Sequence, residues 1–589
     1  MNLALVSVHI KNSPRAIPLG PAMIASSLHK ELGSCVTSEI INLYMNQSIE
    51  NFLKIITSKP RDIVGFSMFV WNRNRILETI EKLKADHPEI IICLGGPEAT
   101  ASYDNLIDNP NIDFIVKGEG EKVFSNAVAT IMESKSAENI STSPIVPNLE
   151  ELPSPFLDGT IRPENYSGLL WELSRGCPFK CDFCFESRGT AGIRRFSFDR
   201  IKQELELFQE HGVEQIFVLD PTFNYNPKNA KKILQLIVEK QADIQFYFEV
   251  RSEFLDEELA ELFSMISCSL QIGLQSSDPN VLKNINRKIN QDDFQEKILL
   301  LHQNQVVYGF DLIYGLPTDT LERFKNSIDF ALGMAPNHLD IFPLSVLPGT
   351  KLFDTASSFN MNYLHENPYT VISTPTFSET EMLEAKEIAN ACEQFYNNGK
   401  AVPWFSLVIE TLAMKPSDFL IEFANWLSLD ENISEDPFRQ QLAFLKHIFE
   451  DKMQNSELGN IASDIAAYFC YTAMLMECST GISTAINANC KYILNPDSCF
   501  VDFKYDPISL EEQIYSGITD IHDLPFVLEK MEYEVFFYIN NSELDVKFFT
   551  TPQKDLLNSY KNGGNELPDI PEESEFLASC IDEQILLEK

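Results

Sequence analysis

Basic residues are scarce in this chain: Lys and Arg number 46 against 86 Asp and Glu, a net charge of -40 over 589 residues. That excess argues against partners that present phosphate, whether nucleic acid or an anionic membrane surface. Also missing is any apolar run of about 18 residues, the least that spans a bilayer as a helix. The opening MNLALVSVHIKNSP has neither the basic start nor the long apolar stretch of a secretory leader, so a cytoplasmic protein is expected. Cysteine is sparse and scattered, 12 in all, which excludes a disulfide-stapled scaffold and leaves reduced thiols. No GxGxxG follows the first apolar stretch, so no nicotinamide site is expected. The length predicts three or so domains of roughly 100–200 residues each.

Three cysteines nevertheless stand together. Cys177, Cys181 and Cys184 fall in WELSRGCPFKCDFCFESR, Trp171 to Arg188, spaced CxxxCxxC. Gly176 and Pro178 break the helix that i, i+4, i+7 spacing would otherwise suggest, so a loop is expected. Close thiolates are soft, anionic ligands suited to iron–sulfur, zinc or copper(I). Zinc asks for a fourth ligand near by, yet no second CxxC follows and the next histidine is His211. An iron–sulfur cubane normally takes four cysteines, so three leave one iron open.

The flanking chain predicts an α/β protein. Residues 1–135 alternate strands (Leu3–Val8, Ile63–Met68, Ile90–Leu94, Phe114–Val116) with helices (Pro21–Leu32, Arg73–Asp86, Glu121–Glu133), as in a parallel Rossmann-like sheet. Ligands of such sheets bind beyond the carboxyl ends of the strands. Those ends carry Ser67, Gly95, Gly96, Pro97, Gly118, Glu119, Gly120 and Glu121, although glycines there also serve plain turns. Residues 136–165, rich in Pro, Ser and Asn, read as a linker over the surface.

Residues 166–358 resume the alternation with a longer period, predicting strands at Leu169–Ser174, Gln215–Asp220, Gln245–Val250, Ser269–Gly273, Val307–Ile313 and His338–Leu344. Six such units form a partial (β/α)6 barrel, whose site residues gather at the strand ends. Asp220, Thr222 and Asn224 stand where they could bond a bound amino acid group or merely make an Asx turn. Glu249 and Arg251 share a face by the two-residue period, placed to bind ribose and carboxylate or to pair with each other. Residues 359–589 read as a mixed, mainly helical domain capping the barrel or recognising substrate: helices at Glu379–Asn397, Ser417–Leu427 and Asn460–Met476, then a hairpin around Asn540–Asn541.

The triplet, with its ExSRGCP lead-in at Glu172–Pro178 and Phe183 before the last cysteine, resembles the signature of radical S-adenosylmethionine enzymes. PLGPAMIASSL, GFSMFVWN (which contains Trp71), LGGPEAT and DFIVKGEGE are similar, in this order, to the cobalamin-binding domain that precedes the radical core in many of them. The resemblance implies a [4Fe-4S] cluster on the three cysteines, S-adenosylmethionine on its open iron and cobalamin on the N-terminal domain. It implies Gln275 and Ser276 near the ribose, and Gly309, Ile313 and Gly315 near adenine, though these glycines also suit barrel packing. Tyr308, Asp311 and Tyr314 are candidates for proton transfer beside the substrate. One departure stands out: VSVHIKNSP is not the DxHxxG loop whose histidine holds cobalt, so His9 is not expected to be a ligand.

The implied activity is a methyltransferase acting on carbon through a 5'-deoxyadenosyl radical and methylcobalamin. Its substrate would be a small molecule or a peptide, with a flavodoxin or ferredoxin as reducing partner and no oligomeric state implied. Alternatives are a cobalamin-dependent rearrangement, ring contraction or cyclisation, and a non-catalytic cobalamin or redox sensor. A methylthiotransferase is disfavoured, since Cys35 and Cys93 alone would serve a second cluster.

Overall fold

The computed structural model describes residues 1–134, 146, 148–186, 192–429, 434–453, 456–478, 491–516, 521–531, 534–541, 543–561, 563–568 and 570–588. Ser187 and Arg188 of the cysteine stretch lie outside these, as do 136–145 and 147 of the expected linker. The chain forms two compact units, Met1–Ser327 with Ile341–Ala385, and Ile328–Asp340 with Lys386–Lys589.

The first unit opens with a five-stranded parallel sheet: β1 (Asn2–His9), β2 (Thr37–Tyr44), β3 (Ile63–Ser67), β4 (Ile91–Gly95) and β5 (Phe114–Ile115), in the order β2-β1-β3-β4-β5. Side chains alternate between its faces. Leu3 and Leu5 pack with Leu28, Val123 and Phe124 of helices Leu19–Leu32 and Gly120–Ser134. Ala4 and Val6 pack with Phe52, Ile76 and Ile80 of helices Ile49–Ile56 and Arg73–Asp86. Strand order reverses between β1 and β3, the crevice where doubly wound sheets bind ligands. Strand β2 and helix Ile49–Ile56 were not anticipated from the sequence.

A six-stranded sheet follows, in the order β13-β12-β11-β10-β9-β6. Its strands are β6 (Gly168–Trp171), β9 (Gln215–Val218), β10 (Gln245–Val250), β11 (Cys268–Gln275), β12 (Val307–Tyr314) and β13 (His338–Pro343), while β7 (Ser174–Arg175) and β8 (Arg194–Arg195) form a separate ladder. These are the six strands expected of the partial barrel. In β10, Phe246, Phe248 and Val250 are buried whereas Gln245, Tyr247 and Glu249 are not, which marks the open inner face. The expected surface linker is partly core. Leu149, Leu152 and Phe156 are buried, Phe156 lying edge-on to Phe208 at 4.9 Å, because its apolar residues outweigh its turn-forming ones.

The second unit holds helices Phe405–Thr411, Pro416–Leu427, Pro437–Lys452 and Glu457–Cys478. Phe395 sits 6.3 Å from Phe405 and 4.9 Å from Phe423, tying the first two together. Strands Ser498–Val501, Glu534–Asn540 and Glu543–Phe549 pair antiparallel, and Asn541 at the hairpin turn has φ +50°. Among the described residues no helix is long and apolar enough to cross a membrane.

Candidate functional site

The three cysteines lie in the loop that leaves β6. Its base is the β7–β8 ladder, Ser174 opposite Arg195 and Arg175 opposite Arg194. Asp220, just beyond β9, holds that base. Its Oδ1 accepts from the backbone N–H groups of Leu173 and Ser174 at 3.0 and 2.9 Å, and Oδ2 accepts from Ser174 Oγ at 2.6 Å. Burial pushes its carboxyl up to about 6, against those hydrogen bonds. With both oxygens engaged, Asp220 shapes the loop, as the turn reading of this residue expects.

Cys181 is buried, and Cys177, Phe183 and Cys184 are half-buried. Burial raises the Cys177 thiol, and that of Cys184 to about 11; charge on Cys181 raises both, so the three sulfurs influence one another. Thr222, near Cys177, donates from Oγ1 to Pro221 O at 2.7 Å. Arg287 points Nη1 at Cys181 Sγ across 3.9 Å and donates from Nη2 to Gly273 O at 2.5 Å, while its Nε is buried without a partner. A buried guanidinium with an unmet N–H suits an anionic neighbour better than a neutral thiol. Among the described residues no three His, Cys, Asp or Glu side chains converge as on one ion. Three mutually influencing thiols beside a buried cation fit a multi-iron cluster, whose ligands stand around a larger body.

The other strand ends divide into structural and open positions. Asn224 is structural: Nδ2 donates to Arg251 O at 2.8 Å and Oδ1 accepts from Arg251 N at 3.0 Å, clamping β10 to β9. Arg251 stacks its guanidinium 3.8 Å above Phe179 and pairs with Glu253, not with Glu249. Glu249 is solvent-exposed on the inner face, yet surrounding protein and then the Glu186 charge raise its carboxyl. Ser276 is a buried turn residue whose Oγ accepts from Asp278 N at 3.1 Å, so its place near a ribose is not supported. Gln275 precedes it, buried with φ +68°.

On β12 the two-residue period separates the proton-transfer candidates. Tyr308 and Tyr314 are 2% and 4% exposed on the outer face with Phe310 and Leu312, Tyr314 lying 5.5 Å from Phe324. They are corrected to core residues. Asp311 takes the inner face with Gly309 and Ile313, and its Oδ1 accepts from Gln271 Nε2 at 2.5 Å. Gly315 is a packing position: its φ is +82°, and a Cβ there would fall 2.9 Å from Met382 Cε.

In the N-terminal sheet, Asn72 Nδ2 bridges Val8 O and Ser67 O at 3.1 Å each, tying β1 to β3 at the switch crevice. Trp71 is 44% exposed and stacks on Phe69 at 4.4 Å. Gly96 has φ +100°, and a Cβ would fall 2.7 Å from Met68 O, so only glycine leaves this turn open beside Gly95 and Pro97. Gly118 donates its N–H to Thr100 Oγ1 at 3.0 Å, and Gly120 abuts Ile24. An exposed indole and glycine turns along one crevice fit a large flat ligand. His9 is turned aside, its Nε2 3.0 Å from Asn42 Oδ1.

Glu119 and Glu121 are engaged by arginines. Glu121 Oε1 lies 2.6 Å from Arg175 Nη2, and Glu119 Oε1 lies 2.5 Å from Arg194 Nη2. Arg175 also grips Glu172 at 2.8 Å, and burial raises the Glu172 carboxyl. These arginines, with Arg287, escaped the sequence reading; the only trace was a basic residue inside ExSRGCP. A further buried knot, also unforeseen, joins Glu98 Oε1 to Arg73, Ser102 and Tyr369 OH at 2.7, 3.0 and 2.7 Å.

Three family models match the chain: the radical SAM superfamily over residues 171–331, the B12 binding domain over 10–128, and a protein of unknown function (DUF4080) over 357–464. The chain is 28% identical over 327 residues to the cobalamin-dependent radical SAM methyltransferase TokK of Streptomyces tokunonensis, covering 49% of this chain and 48% of that one. It is 25% identical over 328 residues to the anaerobic magnesium-protoporphyrin IX monomethyl ester cyclase of Rubrivivax gelatinosus, covering 51% of this chain and 59% of the relative. The chain thus spans about half the length of the first curated relatives it matches. Its fold is like that of OxsB, a cobalamin-dependent S-adenosylmethionine radical enzyme solved with aqua-cobalamin and S-adenosylmethionine, with TM-score 0.56 and 14% identity over 87% of this chain and 83% of that one.

Proposed function

We propose that this chain is a cobalamin-binding radical S-adenosylmethionine enzyme, a methyltransferase that acts on a carbon of its substrate. The observation that carries the reading is a junction within one compact unit. The GEGE turn of the N-terminal sheet is gripped by Arg175 and Arg194, the residues that close the base of the cysteine loop.

When bound, a [4Fe-4S] cluster on Cys177, Cys181 and Cys184 would supply the electron that cleaves S-adenosylmethionine, and cobalamin beside Ser67, Trp71, Gly95, Gly96, Pro97 and Gly118 the methyl group. The chain's own work is positional. Asp220 and Thr222 shape the loop, Arg287 offsets negative charge at Cys181, and the Asn224–Arg251 clamp fixes the adjoining strand end. Glu249, Gln271 and Asp311 present polar groups on the inner face, where hydroxyls of a nucleoside or a polar substrate can be oriented. Gly309 and Ile313 flank Asp311 on that face. A radical acts by proximity, so holding the target carbon in place and excluding water are the essential tasks. The substrate is a small molecule or a peptide, and the electron comes from a reducing partner.

Cys181→Ala is expected to abolish 5'-deoxyadenosine formation, and unchanged cleavage in that variant would refute the assignment. The likeness to a cyclase favours one second reading, ring formation without methyl transfer. Product mass separates the two, since only methylation adds a methylene unit.

A further inference from the structure

Cations are rare in this chain, yet they gather behind the cysteine loop. Residues 177–184 and 279–291 together hold four cations, Lys180, Lys283, Arg287 and Lys288, and one anion, Asp182. Backbone and side-chain bonds hold the two segments together: Asp182 N donates to Ile285 O at 3.0 Å, and Asn286 Nδ2 donates to Lys180 O at 2.6 Å. Arg287 turns inward to Cys181, whereas Lys180, Lys283 and Lys288 are exposed and form no ion pair among the described residues. The acids of these segments are taken or set apart. Asp182 pairs with Lys351 at 3.1 Å, Asp278 pairs with Arg323 at 3.3 Å, and Asp292 and Asp293 stand in the first turn of the next helix.

Unpaired lysines cost a protein nothing at its surface, but their concentration here is out of keeping with a net charge of -40. A local positive rim on an acidic protein selects an acidic partner for this one place, because repulsion elsewhere disfavours other encounters. The rim also backs directly onto the buried cysteine of the loop. We propose that an acidic one-electron carrier protein docks on Lys180, Lys283 and Lys288 and delivers its electron there. The carrier loses one electron and is oxidised. That electron ends in S-adenosylmethionine, whose C–S bond breaks to give methionine and the 5'-deoxyadenosyl radical. The proposal rests on the radical reading above and adds to it the place where the reductant binds.

The test uses the reconstituted full chain and the variant Lys283→Glu/Lys288→Glu, with dithionite as a small reductant and a flavodoxin as the acidic carrier. The variant should keep the cluster absorbance and dithionite-driven 5'-deoxyadenosine formation of the wild type. Flavodoxin-driven formation at low salt should fall about ten-fold or more, and flavodoxin binding by calorimetry should weaken and lose its salt dependence. Equal flavodoxin binding and equal flavodoxin-driven rates in the two proteins would overturn the docking surface. Failure of dithionite to drive cleavage by the wild type would instead overturn the radical reading, and the proposal with it.

Discussion

Glu121 and Arg175, 54 residues apart in sequence, meet at 2.6 Å with both side chains almost wholly buried. The pair joins the turn after β5 to the base of the cysteine loop, so the two sites share one electrostatic knot with Glu119, Glu172 and Arg194. Removing one partner of a buried ion pair leaves an uncompensated charge and costs about 3–5 kcal/mol. Arg175→Met should therefore lower unfolding stability in urea by that order and reduce iron retained after reconstitution. Arg175→Lys should recover part of both. Wild-type stability in the Met variant would show the knot to be incidental.

Asp220 makes three hydrogen bonds to the loop base, each to a charged acceptor worth about 1.5–3 kcal/mol. Asp220→Ala should lower iron content per chain and 5'-deoxyadenosine formation together. Asp220→Asn, which keeps one acceptor oxygen, should fall between. Full iron content with a raised KM for S-adenosylmethionine would instead make Asp220 a ligand-contacting residue.

The faces of β12 predict opposite outcomes for neighbouring residues. Tyr308→Phe and Tyr314→Phe should leave S-adenosylmethionine cleavage within about two-fold, since each removes only a hydroxyl from the outer core. Asp311→Ala, which strips the inner face and leaves Gln271 without this acceptor, should reduce turnover by about ten-fold or more. Steady-state kinetics on the three variants decides the matter.

The fold was readable in the sequence where burial on both faces made apolar runs continuous, as in β1, β3 and β4, and where buried and open positions alternate, as in β10. Strand β2 escaped because it is an edge: TSEIINLY is mostly half-exposed and mixes polar with apolar residues. The helix Pro437–Lys452 escaped because its apolar Phe and Leu are interspersed with buried Gln440 and Gln441. The cysteine loop announced itself because its ligand spacing is local. Asp220, Glu119 and Glu121 could not be sorted from the sequence, because a carboxylate at a strand end looks the same whether its partner is a ligand or a distant segment of the chain. Only the structure brings Ser174, Arg194 and Arg175 to them.

Burial raises the Asp319 carboxyl to about 7, with the charge of Asp278 adding to the rise and Arg323 opposing it. The folded state thus binds this proton more tightly than the unfolded chain, whose Asp titrates near about 4. Its contribution to stability is complete below that lower value and is lost as pH rises through about 7, each pH unit between the two costing about 1.4 kcal/mol. Thermal unfolding of the wild type should therefore weaken from pH about 5.5 to about 8, and Asp319→Asn should flatten that slope. A slope unchanged in the variant would place the dependence on another group.

The most direct test of the two-site account is the anaerobic absorbance spectrum of protein reconstituted with iron and sulfide, incubated with hydroxocobalamin and desalted. The account predicts cobalamin bands retained beside the broad absorption of the cluster, with Cys181→Ala losing the cluster absorption while the cobalamin bands remain. A desalted wild-type protein that keeps its cluster but releases all cobalamin would contradict it.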